Sequence, residues 1–110
     1  MSEVVVVAVM HAADGQRDAI ERVARDVLIP ATHAEHGCIT FALHRDSRDP
    51  NCLVIIERWA DAAALGRHME TPHLADFRAQ VGPLSASIPD IYVLEGAAAG
   101  DVSKGVLGGS

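Results

Sequence analysis

Apolar residues in the first third of the chain follow two spacings, first that of a strand and then that of a helix. Residues 4–10 are mostly β-branched and apolar at odd and even positions alike, which predicts a strand buried on both faces. After Asp14, the predicted N-cap, apolar residues recur at helical spacing: Ile20, Val23, Ala24, Val27 and Leu28. Pro30 is expected to end or kink this helix, and residues 31–36 add an irregular or helical turn before Gly37.

The middle of the chain predicts a β-hairpin. Residues 38–45 alternate in polarity and place three apolar side chains on one face: Ile39, Phe41 and Leu43. Residues 46–51 are rich in turn formers, and residues 53–59 form the second strand. Cys38 and Cys52 start the two strands and so lie at opposite ends of the hairpin, which is too far for a disulfide. Both are predicted to be reduced thiols.

Two short helices follow, each with a residue that can cap its first turn. Asp61 caps the first helix, whose Leu65 and Met69 are predicted to point inward. Thr71 caps the second helix through its hydroxyl, and Pro72 loses no hydrogen bond at the first helical position. The apolar stripe of this second helix is formed by Leu74, Phe77 and Val81.

The order of elements is βαββαβ, which predicts a ferredoxin-like α+β fold: a four-stranded antiparallel sheet with helices on one face. The last strand, at about residues 88–94, is placed at a sheet edge because Pro89 cannot donate to a ladder. Residues 1–95 are predicted to form this one domain. Residues 96–110, rich in Gly and Ala, form a tail that either packs on a neighbouring subunit or is flexible.

The sheet face opposite the helices is predicted to pack against a second copy of the chain. The first strand is apolar on both sides, and residues 53–56 are an unbroken apolar run. Burying each large side chain there is favourable by roughly 1.5–3 kcal/mol, and neither a loop nor the tail has enough apolar surface to cover them. A homodimer in the form of a dimeric α+β barrel is therefore expected, enclosing a pocket.

Composition and charge exclude several classes of function. The 110 residues are 49% hydrophobic and 22% charged, as in an ordinary globular domain. The net charge is −6 and the nine Lys and Arg residues are scattered, so no nucleic-acid partner is expected. The longest apolar run is far shorter than the ~20 residues of a membrane-spanning helix, and the N-terminus lacks the features of a secretory signal. No membrane partner and a cytoplasmic location are expected.

One stretch of the sequence carries a resemblance to a known family. The residues concerned are Glu35, Gly37, Cys38, Phe41, Glu57, Trp59 and the block 68–77, which reads His-x-x-Thr-Pro-His-x-x-x-Phe. Over about residues 4–94 the chain resembles the antibiotic biosynthesis monooxygenase domain family. These dimeric α+β barrels include cofactor-independent quinol or anthrone oxygenases, haem-degrading enzymes and an isomerase of autoinducer-2 breakdown.

The resemblance implies a cofactor-independent monooxygenase that oxidises a small phenolic or quinol-like compound with dioxygen, in a pocket between the sheet and the helices. His73 or His68 would remove the phenolic proton, and the electron-rich anion would react with dioxygen. His73 lies in a first helical turn, where the helix dipole disfavours imidazolium and leaves a neutral base plausible. The alternative is that both histidines only pack and form hydrogen bonds at the helix junction.

Five residues are candidates for substrate binding: Phe41, Leu53, Ile55, Glu57 and Trp59. The last three share one face of a strand, and they line the pocket if that face is the open one. Trp59 would stack on a flat aromatic substrate and Glu57 would orient a histidine or a hydroxyl. Alternatively, Trp59 and Phe41 belong to the core and Glu57 pairs with a cross-strand cation.

A few individual residues bear on other possible functions. His33 and His36 have helical spacing but no third ligand, so no metal site is predicted. An isomerase of a small metabolite remains open; a phosphorylated substrate would need a basic pocket, for which the candidates are Arg58, Arg67 and Arg78. A non-catalytic small-molecule binder also remains open. The haem-degrading branch is disfavoured because residues 4–11 lack the Asn that it uses.

Overall fold

This computed structural model describes residues 2–108 of the chain, and its strands and helices lie between residues 4 and 94. The elements are β1 (Val4–His11), α1 (Arg17–Val23), a π-helical segment (Ala24–Leu28), α2 (Ile29–His33), β2 (Cys38–Arg45), β3 (Cys52–Trp59), α3 (Ala62–His68), α4 (Pro72–Val81), a 3₁₀ turn (Gly82–Leu84) and β4 (Asp90–Leu94). No helix within residues 2–108 has the length and apolar character to cross a membrane.

The four strands form one antiparallel sheet in the order β2-β3-β1-β4. Val7 at the middle of β1 pairs with Ile56 of β3 on one side and with Tyr92 of β4 on the other. The helices cover one face of this sheet, so the predicted ferredoxin-like α+β fold is confirmed. The edge position of β4 is confirmed as well.

The first helix begins later than predicted. Arg17 is its first residue, and the N-cap residue Gln16 makes no side-chain cap. Gly15 has a positive φ of 77° and turns the chain between Asp14 and the helix. The Asp14 carboxylate instead accepts a hydrogen bond of 2.8 Å from the Asn51 amide. The predicted N-cap at Asp14 is therefore wrong.

The first helical region also continues past Pro30, which lies within α2. A proline in an α-helix lacks an N–H group and its ring clashes with the carbonyl four residues earlier. The π-helical segment Ala24–Leu28 lies where that clash would occur, and its wider turns relieve it. Of the two outcomes expected at Pro30, an end to the helix is wrong, and the helix is instead irregular just before the proline.

The caps of the two later helices are confirmed. The Asp61 carboxylate accepts from the Ala64 N–H at 2.8 Å, and the Thr71 hydroxyl accepts from the Leu74 N–H at 3.4 Å. Pro72 is the first residue of α4. Met69 is 45% exposed but also lines the space between the sheet and the helices, so the inward orientation predicted for it holds in part. Met69 is the C-cap residue of α3, where the chain leaves the helix.

The hairpin has an irregularity at its first edge. The β2–β3 register shifts between Cys38 and Thr40, and Ile39 in that bulge is 46% exposed, so it does not share a face with Phe41 and Leu43 as predicted. Phe41 belongs to the core and Leu43 packs against it, as alternation predicts. Both cysteines are free thiols, which confirms the prediction.

The two sides of β1 differ in burial. Val6, Ala8 and Met10 face the helices and are buried in the core. Val5, Val7 and Val9 point to the opposite side, the open face of the sheet, and are only half-buried. Within a single chain, the predicted burial therefore holds for one face of β1.

The tail folds back toward the open face of the sheet. Asp101 accepts from the N–H groups of Ser103 and Lys104 and forms a tight turn. Gly108 lies against the guanidinium of Arg58, whose side chain pairs with the Glu3 carboxylate. Val102 and Leu107 stay exposed at 86% and 62%, so the tail buries little apolar surface.

Candidate functional site

A cavity of about 730 Å³ lies between the sheet and the helices. Most of its walls are apolar side chains from the core face of the sheet and from α3 and α4. Two of its polar lining residues, Glu57 and His68, are buried, at 6% and 3% exposure. The other polar lining residues are partly or fully exposed: His11, Arg78, Ser85 and Ser87. The cavity is therefore an apolar space with one buried carboxyl and one buried imidazole.

Strand β3 supplies several of the predicted site residues from its helix-covered face. Ile55, Glu57 and Trp59 are all buried on that face and pair with β1 residues of the same face. The condition that this face is the open one is therefore not met, and Ile55 and Glu57 line the cavity on the helix-covered face instead. Burial explains the outcome, since the indole is 0% exposed and needs the helices to cover it.

Glu57 is a carboxyl group held in an apolar surrounding. Its Oε1 accepts a hydrogen bond of 2.9 Å from the Trp59 indole N–H. Burial raises the pKa of Glu57 to about 7; the Trp59 hydrogen bond opposes this shift, and the charge of Glu35 adds to it. Near neutral pH this carboxyl can therefore either donate or accept a proton. Among residues 2–108 no cation forms a salt bridge with Glu57, so the alternative in which it pairs with a cross-strand cation is wrong.

Glu35 connects the two predicted catalytic histidines. Its Oε2 lies 2.7 Å from His68 Nδ1 and 2.7 Å from His73 Nε2. The three side chains are 12%, 3% and 20% exposed for Glu35, His68 and His73, so the cluster runs from the cavity wall toward the surface. The sequence predicts that the two histidines lie at one helix junction, and the structure shows that the Glu35 carboxylate lies between them.

The local backbone explains why Glu35 reaches this position. Glu35 follows α2 in a tight turn, where its N–H donates to the Thr32 carbonyl at 3.0 Å. Gly37 has a positive φ of 89°, and a Cβ there would clash with the Cβ of Ala64 in α3. The Gly37 carbonyl accepts from the Ala60 N–H at 2.8 Å, which joins this turn to the end of β3. Glycine is therefore required for the turn to lie against α3.

The ring of His68 is packed between aromatic side chains. Its centroid lies 4.6 Å from that of Trp59 and 5.5 Å from that of Phe41. The Thr71 hydroxyl donates to the His68 carbonyl at 2.8 Å and so fixes the backbone where α3 ends. Thr71 therefore has the structural role that the sequence predicts, and it also supports the histidine.

The structure places the predicted site residues in two groups. Phe41, Ile55, Glu57 and His68 line the cavity. Trp59 and Leu53 are fully buried beside it, and His73 lies on the far side of Glu35, so none of these three is a lining residue. Glu35 was missed as a site residue, although it is one of the residues that carry the family resemblance. Its spacing from His68 in sequence gave no sign of contact.

Glu35, His68 and His73 also have the chemistry of metal ligands. Their ligand atoms all lie within 4.8 Å of one another, a cluster that the sequence did not predict. His33, considered earlier, instead bonds the Phe41 carbonyl at 2.9 Å. Two ligands of a tetrahedral zinc ion, each about 2.0 Å from the metal, lie roughly 3.3 Å apart. The 2.7 Å separations in this cluster are those of charge-assisted hydrogen bonds.

Comparison with known proteins gives a consistent result. Residues 3–80 match the family model described as antibiotic biosynthesis monooxygenase. The chain is 39% identical over 83 residues to "Putative monooxygenase Rv0793" of Mycobacterium tuberculosis, covering 76% of this chain and 80% of that protein.

Solved structures with this fold agree with the sequence match. PA3566 of Pseudomonas aeruginosa has a TM-score of 0.77 at 34% identity, covering 86% of this chain and 94% of that one. The structure of Rv0793 has a TM-score of 0.77 at 33% identity, covering 84% and 93% of the two chains. Both fold and sequence therefore relate this chain to the same group of proteins.

Proposed function

Because the chain belongs to the antibiotic biosynthesis monooxygenase family, we propose that it is a cofactor-independent monooxygenase acting on a small phenolic or quinol-like compound. The observation that carries this proposal is the apolar cavity with Glu57 and His68 as its buried polar groups. Such a space excludes water from an electron-rich anion while holding a base against it.

The first step is removal of the phenolic proton by His68. The O–H bond breaks, its electron pair stays on the substrate oxygen, and the proton forms an N–H bond at Nε2. The anion transfers electrons to dioxygen, and a C–O bond forms that leaves a peroxide on a carbon atom of the ring. Loss of water then leaves a quinone, so one oxygen atom enters the product and the other leaves as water. The substrate supplies both hydrogen atoms of that water, and no external reductant is needed.

Glu57 is proposed to bind the substrate oxygen. In its neutral form it donates a hydrogen bond from the carboxyl oxygen that Trp59 does not occupy. Its raised pKa of about 7 keeps a large share of it neutral at physiological pH. Phe41 and Ile55 pack against the substrate ring from the sheet, while Trp59 supports His68 from behind.

Oxygen uptake with a panel of dihydroxyaromatic compounds tests this function. We expect dioxygen consumption with at least one of them, and a product containing one atom of ¹⁸O from ¹⁸O₂. Ala8→Phe fills the cavity and should lower kcat/KM by at least ~10-fold, since Ala8 lines it. Ala79→Phe on the exposed side of α4 is the matched control and should have no effect. Tight binding of these compounds without any uptake contradicts the proposal and indicates a non-catalytic binder.

The isomerase alternative has less support at this cavity. Of the three basic candidates, Arg78 lines the cavity, Arg58 points to the open face and pairs with Glu3, and Arg67 is exposed. One exposed arginine in a cavity that also contains a buried carboxyl is a poor site for a phosphate group. Turnover under anaerobic conditions, with no change in substrate mass, would establish an isomerase instead.

A homodimer is proposed as the functional unit. Its support is the open face of the sheet, where Val7, Ile56, Tyr92 and Leu94 form an apolar surface that is half-buried or exposed in one chain. A second copy of the same face would cover it.

Sedimentation equilibrium tests the dimer. We expect about twice the chain mass of 11.6 kDa at micromolar concentration. Tyr92→Glu places a charge on this face, where Tyr92 is 54% exposed, and should shift the mass toward one chain without unfolding it. Glu95→Lys, an exposed change just beyond β4, is the control. A native chain that sediments as a monomer would exclude this arrangement.

A further inference from the structure

The carboxylate of Glu35 has an arrangement that the family match does not explain. One oxygen atom, Oε2, accepts hydrogen bonds from two imidazoles at 2.7 Å each. An ionised carboxylate has no proton to donate, so each nitrogen that bonds to it must carry the hydrogen. With Glu35 ionised, His68 carries its hydrogen at Nδ1 and His73 carries its hydrogen at Nε2.

This requirement decides which nitrogen of His68 meets the substrate. With the hydrogen on Nδ1, the lone pair of neutral His68 is at Nε2. His68 lines the cavity, and its Nε2 has no hydrogen-bond partner in the chain between residues 2 and 108. The packing of its ring against Trp59 and Phe41 restrains the ring from turning over.

His73 holds the other side of the same oxygen atom. Glu35 is only 12% exposed, and among residues 2–108 its carboxylate has these two imidazoles as its hydrogen-bond donors. Without His73, the carboxylate would be free to rotate away from His68 toward water. The second hydrogen bond thus keeps Oε2 on the line of the Nδ1–H bond.

We infer that Glu35 is a positioning residue that presents the Nε2 lone pair of His68 to the cavity, and that His73 clamps Glu35 rather than acting as the base. This inference rests on the proposed function for its chemical step. When Nε2 takes the phenolic proton, His68 becomes an imidazolium in direct contact with the Glu35 carboxylate, which stabilises it. The same proton is later returned to the peroxide oxygen that leaves as water.

The tautomer of His68 can be measured without any turnover. In ¹⁵N NMR of the whole protein at pH 8, we expect Nδ1 of His68 to be protonated and Nε2 to be bare. Glu35→Ala removes the acceptor, so a mixture of tautomers should appear. Glu35→Gln keeps a neutral oxygen acceptor and should retain much of the native tautomer, while the exposed Glu70→Gln is the control. A native His68 protonated at Nε2, or no change in Glu35→Ala, would overturn the inference.

Kinetics of two His73 variants separate a clamp from a base. The side-chain amide of His73→Gln can donate to Glu35 much as Nε2–H does, whereas His73→Leu cannot. We expect His73→Gln to keep kcat within about fivefold, and His73→Leu and Glu35→Ala to lose ~10²-fold in kcat with little change in KM. Equal loss in both His73 variants would make His73 the base and contradict the inference. Loss of native turnover on chelation, with recovery on adding Zn²⁺ or Fe²⁺, would contradict it too and make the cluster a metal site.

Failure of this inference is distinguishable from failure of the proposed function. If no phenolic compound drives oxygen uptake but the NMR shows a bare Nε2 that depends on Glu35, the oxygenase proposal fails and the positioning role stands. If uptake occurs and the tautomer of His68 does not depend on Glu35, the oxygenase proposal stands and the positioning role fails.

Discussion

His68→Asn is expected to lower kcat by ~10²–10⁴-fold, the usual contribution of a general base, with a much smaller change in KM. Asparagine can place its amide N–H close to the position of Nδ1 and so still donate to Glu35. It has no atom at the position of Nε2. The variant thus keeps the hydrogen-bonded cluster and removes only the lone pair that faces the cavity.

The control for this variant is His36→Asn, since His36 is exposed and its neighbour in sequence is Glu35. It should leave turnover unchanged. Thermal unfolding of both variants shows whether the fold is intact, and dissociation constants for a bound substrate show whether the cavity is. Activity of His68→Asn close to that of the native chain would remove His68 from the chemistry and direct attention to Glu57.

Much of the fold could be predicted from the sequence because it depends on local patterns. The two-residue alternation of the strands, the helical stripe of residues 20–28 and the caps at Asp61 and Thr71 are each contained in a few neighbouring residues. The order of these elements then limits the topology, since helical crossovers between strands place the helices on one face.

The predictions of secondary structure failed where one structural feature changed what a local sequence pattern normally produces. Pro30 is compatible with a helix once a π-helical segment precedes it, and no residue type marks such a segment in sequence. Ile39 leaves the core because of a bulge, which shifts alternation by one residue. Asp14 does not cap the first helix because Gly15, with its positive φ, begins a turn between Asp14 and that helix.

The candidate site shows the same division. The positions of His68 and His73 at one helix junction follow from their spacing, whereas their link through Glu35 joins residues 33 and 38 positions apart. The alternation of side chains along β3 could not show whether Glu57 lies on the helix-covered face or on the open face, because both faces of β3 and β1 are rich in apolar residues. Burial of Trp59 decides it, and that depends on tertiary packing.

Glu57→Gln is expected to change how stability depends on pH. The pKa of Glu57 is about 7 in the folded protein and near 4.5 in the unfolded chain. Between these values the folded state binds the extra proton, so stability falls as pH rises. A difference of this size corresponds to about 3 kcal/mol, with the full stability present below pH 4.5 and lost as pH rises through about 7.

Urea denaturation of the native chain and of Glu57→Gln at a series of pH values measures this effect. Glutamine keeps an oxygen that accepts from the Trp59 N–H but cannot ionise, so the difference between the two proteins reports the ionisation of Glu57. The native chain should therefore lose about 3 kcal/mol of unfolding free energy relative to the variant between pH 4.5 and 8. Glu70→Gln, a substitution at an exposed residue just after α3, should show no such trend.

The same titration links stability to the proposed chemistry. A constant difference between the two proteins across this range would mean that Glu57 ionises like an exposed carboxyl, and that water reaches it freely. The cavity would then be too wet to hold a phenolate against dioxygen. A falling difference indicates instead that the protein bears the free-energy cost of a desolvated carboxyl, which is the condition under which neutral Glu57 can donate to the substrate oxygen.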